Sequence, residues 1–141
     1  MDLVALAEAR AELLRPAARL VGVTLDVTGQ GRAVVNADDI GRALENLMRN
    51  AVEASPRGAR VEVAVEQGSA GARVSIRDWG PGVDQQAEPC LFEPFFTQKA
   101  EGTGLGLVLS RATARAHGGD LRFERRVDGA CFVLSLPEDS A

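Results

Sequence analysis

The stretch Glu101-Gly102-Thr103-Gly104-Leu105-Gly106-Leu107-Val108-Leu109-Ser110 sets three glycines at alternate positions directly before an apolar run. Glycine lets a backbone approach an anion closely, and a helix N-terminus offers unpaired N–H groups and the positive end of a dipole. A polyphosphate needs both. Lys99 stands three residues upstream, at the end of Phe92-Glu93-Pro94-Phe95-Phe96-Thr97-Gln98-Lys99. Its ammonium is suited to neutralising phosphate charge as a point cation.

Other phosphate folds do not fit this pattern. The spacing is G-x-G-x-G, with no strand leading in and no surrounding βαβ unit, so a dinucleotide fold fails. No Gly-Lys-Ser/Thr occurs, which excludes a Walker A loop, and the protein-kinase signatures are missing.

Outward from the glycines, apolar periodicity predicts a mixed, α+β chain. Leu3 to Leu20 reads as a helix (Leu3, Leu6, Ala7, Leu13, Leu14, Ala17) disturbed near Pro16. Val23–Val27 alternates like a strand, Thr28–Arg32 turns, and Ala33–Val35 is expected to return. Asn36 is a good N-cap for a helix whose stripe is Ile40, Leu44, Leu47, Ala51 and Ala54, ended by Ser55-Pro56-Arg57-Gly58. Val61–Val65 and Ala72–Ile76 form a hairpin. A helix from Thr103 to Ala116, packing Leu105, Leu109, Ala112 and Ala116, stops at Gly118-Gly119. A last hairpin joins Leu121–Phe123 to Cys131–Leu136 around Asp128-Gly129. Between Asp78 and Gly102 about 25 residues show no sustained period, longer than an ordinary loop and so expected to be functional. The order predicts a two-layer α/β sandwich: a mixed, mostly antiparallel sheet with helices on one face.

Composition narrows the function classes. With 141 residues the chain fits one domain spanning 1–141, and 45% hydrophobic with 26% charged residues is ordinary for a globular protein. A net charge of −4 with scattered arginines argues against nucleic acid, and no stretch is apolar enough to span a membrane. A cytoplasmic protein without direct membrane contact is expected. Cys90 and Cys131 fit neither a metal cluster nor a disulfide framework and read as free thiols.

Two further motifs lie upstream. Asn46 and Asn50 sit one turn apart on the shoulder of the apolar stripe, where an amide oxygen is a hard ligand suited to Mg²⁺ beside phosphate. By themselves they equally read as solvated helix residues. Asp78-Trp79-Gly80-Pro81-Gly82 follows the strand ending at Ile76. A carboxylate only accepts, so it takes a hydrogen bond from adenine's exocyclic amine and repels guanine's O6. By itself, the same stretch is also an ordinary acidic turn.

Taken in order, NLMRNAVEAS (46–55), DWGPGV (78–83), LFEPFFTQK (91–99), GTGLGL (102–107) and AHGG (116–119) resemble the catalytic and ATP-binding domain of bacterial sensor histidine kinases. That family belongs to the GHKL superfamily with gyrase, Hsp90 and MutL, and the likeness is to its nitrogen- and oxygen-sensing branch. The resemblance covers nearly the whole chain. It implies the Bergerat ATP-binding fold, with a lid closing over ATP·Mg²⁺. Asn50 matches the Mg²⁺-ligating asparagine, and Asp78 the adenine-reading aspartate flanked by Gly80 and Gly82. Phe95 of the lid, Lys99, Gly102, Thr103, Gly104, Leu105 and Gly106 match the nucleotide-contacting stretch. Asn46 stands where hydrolytic members carry a water-activating glutamate; its amide is no general base, so rapid ATP hydrolysis is not expected.

Two residues depart from the pattern. Trp79 replaces the commonest asparagine, either altering the pocket edge or simply packing, and Glu53 stands where many such kinases have lysine. The phosphoacceptor hairpin of the family is absent, and His117, the only histidine, reads as a polar group at a helix end. The resemblance therefore implies part of a longer kinase, monomeric in isolation. Its histidine hairpin and response regulator would be partners supplied from outside the chain. A stand-alone anti-sigma-factor serine kinase and a non-catalytic ATP-sensing module are the alternative readings.

Overall fold

The computed structural model describes residues 1–94 and 106–137. Along the chain run α1 (Leu3–Leu20), β1 (Thr24–Gly29), α2 (Ala37–Ala54), β2 (Arg60–Gly68), β3 (Gly71–Arg77), α3 (Gly106–Ala116), β4 (Asp120–Arg125) and β5 (Ala130–Pro137). A single 3₁₀ turn, Glu88–Cys90, interrupts the long segment after β3.

Strand order is β1-β2-β3-β5-β4. β1 pairs with β2 in parallel, so their connection has to cross over the sheet, and α2 is that crossover. All other neighbours are antiparallel hairpin or return pairings. The predicted mixed, mostly antiparallel sheet is what forms.

Both long helices begin on side-chain caps. The Asp2 carboxylate accepts from the N–H groups of Val4 and Ala5, and the Asn36 side chain accepts from Asp39 N–H at 3.0 Å. Asp38 and Asp39 fill the first turn of α2, where negative charge suits the dipole. Val61, Val63 and Val65 of β2, Val74 and Ile76 of β3, and Leu134 and Leu136 of β5 turn one face of the sheet into the core. Ile40, Leu44, Leu47, Met48 and Ala51 of α2 cover the middle of that face, flanked by α1 and α3. The other face carries ion pairs, Arg60–Asp26 and Arg73–Glu66, each at 3.2 Å. Helices on one side only follow from this alternation.

Four expectations change. Ala33–Val35 forms no strand; beyond β1 only Arg32 makes an isolated bridge, to Asp2, while Ala33 N–H and the N-terminal amine exchange bonds with Met1 and Ala33 carbonyls. On α1, Leu13 is 67% exposed and Ala17 also faces solvent, because Ala11 and Ala18 take the buried positions. On α3 the buried residues are Ser110 and Ala114, with Leu107 packed against the core, whereas Leu109 is 60% exposed and Ala112 and Ala116 lie outside. α1 runs unbroken through Pro16.

Candidate functional site

Asp78 directly follows β3 and is 5% exposed, an unusual setting for a carboxylate. Its Oδ1 accepts from Gly80 N–H at 3.0 Å and from Ala130 N–H at 3.1 Å. Asp78 N–H in turn donates to the Ala130 carbonyl at 2.9 Å. Among the described residues both bonds fall on Oδ1, which leaves Oδ2 as the oxygen able to read a ligand's amine.

The turn after Asp78 is wedged between α2 and the β4–β5 hairpin. A Cβ on Gly80 would lie 2.2 Å from the Ala54 carbonyl oxygen, at the end of α2. Ser55, the C-cap of α2, donates its hydroxyl to Ala51 O at 2.8 Å and accepts from Trp79 N–H at 3.4 Å. Gly82 adopts φ +80°, which favours glycine, and faces the Gly129 carbonyl. Gly129 itself approaches so closely that a Cβ there would meet Asp78 O at 2.2 Å. Trp79 packs: the Arg77 guanidinium lies 4.1 Å from its ring centroid, and Trp79 lines a shallow groove with Pro56–Arg60 and Glu62.

Burial pushes the Asp78 carboxyl above its ordinary range, opposed by the hydrogen bonds from Gly80 and Ala130 and by the Arg77 charge. Two pH dependences of opposite sign follow. The folded state holds a proton on Asp78 at pH values where the unfolded chain has lost it. This group's contribution to stability is therefore full at low pH and lost as pH rises through the folded pKa. A ligand N–H donor is accepted more strongly by the charged form, so binding through Asp78 would be strongest above that pKa and weaken below it. Titrating adenosine across acidic pH, with Asp78→Asn as reference for the protonation of the base itself, is expected to show the acid loss set in at higher pH in the wild type.

The second part of the site joins α2 to the start of α3. Asn46 Nδ2 donates to Ser110 Oγ at 3.2 Å, and Ser110 is 3% exposed. A Cβ on Gly106 would come within 2.7 Å of the same amide nitrogen, so Asn46 rests directly on the first residue of α3. Asn50 lies one turn further along α2, half-buried. The neighbouring acid, Glu45, is held by Arg49 at 2.8 Å and Arg10 at 3.5 Å. Neither an amide nor an acid committed to two arginines is placed to activate water.

At the root of the long segment, Leu91 is buried and Phe92 stacks edge-on against Phe132, with centroids 6.4 Å apart. The Arg111 guanidinium covers the other ring face at 4.3 Å. Phe92 thus ties the start of the segment to the sheet and to α3. Phe95, Phe96, Lys99, Gly102, Thr103, Gly104 and Leu105 lie outside the described residues. His117 bridges two helix ends: its Nε2 accepts from Asn36 N–H at 3.1 Å, and Nδ1 lies 2.8 Å from Thr113 O. It holds the fold, as its place before Gly118-Gly119 suggests.

Sequence reasoning missed Ser110, Gly129 and Ala130. Asp128-Gly129 reads only as a hairpin turn; that its backbone would brace Asp78 is a long-range fact without a local signal. Among the described residues no group of three or more His, Cys, Asp or Glu side chains is placed to hold a metal.

Similarities to known proteins match this geometry. The family described as histidine kinase-, DNA gyrase B-, and HSP90-like ATPase matches residues 35–140. The signal transduction histidine-protein kinase AtoS of Escherichia coli K12 is 40% identical over 107 residues, 73% of this chain and 18% of AtoS. The C4-dicarboxylate transport sensor protein DctS of Rhodobacter capsulatus is 38% identical over 143 residues, 94% of this chain and 22% of DctS. The chain thus spans about a fifth of the length of these curated relatives. Among solved structures, the mycobacterial sensor histidine kinase MprB superposes with a TM-score of 0.88 at 29% identity, covering 99% of this chain and 97% of that one. With the α2–α3 junction and the braced Asp78 in place, this chain belongs to the histidine kinase-, gyrase- and HSP90-like ATPase family, as an ATP-binding domain of the sensor histidine kinase type.

Proposed function

We propose that this domain binds ATP with Mg²⁺ and passes the γ-phosphoryl group to a histidine on a dimerising helical hairpin outside the chain. A cognate response regulator would then receive it. The observation that carries the reading is the Asp78 carboxylate: buried, braced on one oxygen by Gly80 and Ala130, and left with the other for an amine.

A base held at Asp78 lies beside the end of α2 at Ala54, whereas Asn46 meets α3 two turns earlier. Eight residues of helix separate them by about 12 Å, a span suited to a nucleoside triphosphate lying along α2. Its phosphates would then meet the glycine-rich approach to α3, where Gly102, Gly104 and Gly106 supply backbone amides and Lys99 a charge. The Asn46–Ser110 bond fixes the first turn of α3, so Asn46 positions that helix and is no base.

The donor set also fits Mg²⁺. Among the described residues no cluster of three or more His, Cys, Asp or Glu side chains is set for a metal, and the Asn50 amide would supply a hard oxygen to a Mg²⁺ that arrives with the phosphates. When bound, the ion would neutralise phosphate charge. What the chain itself contributes is position and preorganised dipoles, the main requirement in phosphoryl transfer. The acceptor imidazole nitrogen gains the phosphorus bond, the bridging oxygen keeps the electron pair of the broken bond, and ADP departs.

Asn50→Ala is expected to remove the Mg²⁺-dependent gain in ATP affinity and to abolish transfer, with affinity in EDTA nearly unchanged. Equal loss with and without Mg²⁺ would contradict that role. The reading as a whole is tested with γ-labelled ATP and a kinase hairpin supplied in trans. Label is expected on histidine, in an acid-labile phosphoramidate. A domain that binds ATP yet labels no hairpin histidine would favour the non-catalytic sensor.

A further inference from the structure

The guanidinium of Arg125, the last residue of β4, makes two short contacts. Nη1 donates to the Val83 carbonyl at 2.6 Å, and Nη2 to Glu88 Oε1 at 2.6 Å. Its plane lies 5.7 Å from the Phe123 ring centroid, and Phe123 packs on Phe132, the ring that receives Phe92. One side chain therefore grips the segment at both ends of the stretch from Val83 to Glu88. The neighbouring hydrogen bonds of that stretch are local: Gln86 N–H to the Asp84 side chain, Ala87 and Glu88 N–H to the Asp84 carbonyl, Cys90 N–H to the Ala87 carbonyl and Leu91 N–H to the Glu88 carbonyl. Between the turn at 78–82 and the packed Leu91 and Phe92, Arg125 is the side chain that ties this stretch to the end of β4.

Val83 directly follows Gly82, the last glycine of the turn that surrounds Asp78. Gly82 closes on the Gly129 carbonyl, and Gly129 is the residue packed against the Asp78 backbone, so a shift of Val83 disturbs the turn that braces Asp78. We propose that Arg125 is a positioning residue for the adenine nucleotide, holding the turn after Asp78 through Val83 and the path of residues 88–92 through Glu88. This rests on the reading of the Asp78 pocket as the adenine site. An exposed arginine–glutamate pair contributes little by itself. The effect here comes from one planar fork holding a backbone carbonyl and a carboxylate together, which the point charge of lysine does not reproduce.

The test compares wild type, Arg125→Ala, Arg125→Lys and Glu88→Ala by calorimetric titration of ATP and ADP, together with amide hydrogen exchange of the nucleotide-free proteins. Arg125→Ala is expected to bind ATP and ADP about tenfold more weakly, by the same factor for both, because the base end and not the γ-phosphate end is disturbed. Exchange at Asp84–Phe92 should accelerate while the core strands stay protected. Arg125→Lys should recover only part of the affinity. Glu88→Ala, which leaves the sheet untouched, should lose about threefold and keeps the inference testable should Arg125→Ala fold poorly. Wild-type binding of ATP with all variants within twofold of it would overturn this inference alone. A wild type that takes up no adenine nucleotide would remove the pocket reading and this inference with it.

Discussion

Asp78→Asn is expected to weaken ATP binding roughly 10- to 150-fold, or about 1.5–3 kcal/mol, the usual scale for losing a hydrogen bond to a charged group in a buried site. The substitution is well suited to the structure. An asparagine side chain keeps a carbonyl oxygen to accept from Gly80 and Ala130, so the brace on Oδ1 survives. What changes is the atom at Oδ2, an acceptor that becomes an NH₂ donor facing another donor. Burial already disfavours the charge of Asp78, so the apo protein should lose no stability and is expected to gain some at neutral pH. Calorimetry of ATP binding beside a thermal melt of the free protein separates the two effects. Affinity lost together with the fold would contradict the assignment.

Gly80→Ala is expected to do the reverse, damaging both. The new methyl would sit 2.2 Å from Ala54 O and 2.9 Å from Ala54 C, which are backbone atoms unable to swing aside. Either the end of α2 or the turn after Asp78 has to shift. Overpacking of this kind commonly costs about 1–3 kcal/mol of stability. A shift in the turn also breaks the Gly80 N–H bond to Asp78, so ATP affinity should fall by at least tenfold in whatever protein folds. Thermal melts and ATP titration of the variant check this. Unchanged affinity would show that the turn is not part of the nucleotide pocket.

Most of this architecture was legible in the sequence because the signals were local. Ile40, Leu44, Leu47 and Ala51 mark the buried face of α2 at helical spacing, and the alternation of Val61, Val63 and Val65 marks β2. Asn36 announces its cap. The errors arose where packing, and not pattern, decides. α3 carries apolar residues all round, so periodicity cannot choose its inner side; Ser110 is buried because Asn46 reaches it from α2. Ala33–Val35 has strand-like residues, yet β1 already pairs with β2 along its whole length, and Leu3 N–H binds Gly31 O as the chain folds back beside α1. The site divides in the same way. Asp78, Gly80 and Asn46 lie in compact motifs, whereas Ala130, Gly129 and Arg125 act on Asp78 and Val83 from about 40 to 50 residues away, partly through backbone atoms that any residue carries.

Burial and hydrogen bonding also separate the motif residues by role. Asn46 is engaged with Ser110 and Gly106, and Glu45 with two arginines, so neither is placed to deprotonate water.

The most direct test of the account is calorimetric titration of ATP and of GTP, each with Mg²⁺, into the wild-type chain. The Asp78 pocket predicts ATP binding at least tenfold tighter than GTP binding, since guanine turns O6 toward the carboxylate where adenine turns an amine. Equal affinity for both nucleotides, or none for ATP, would contradict it.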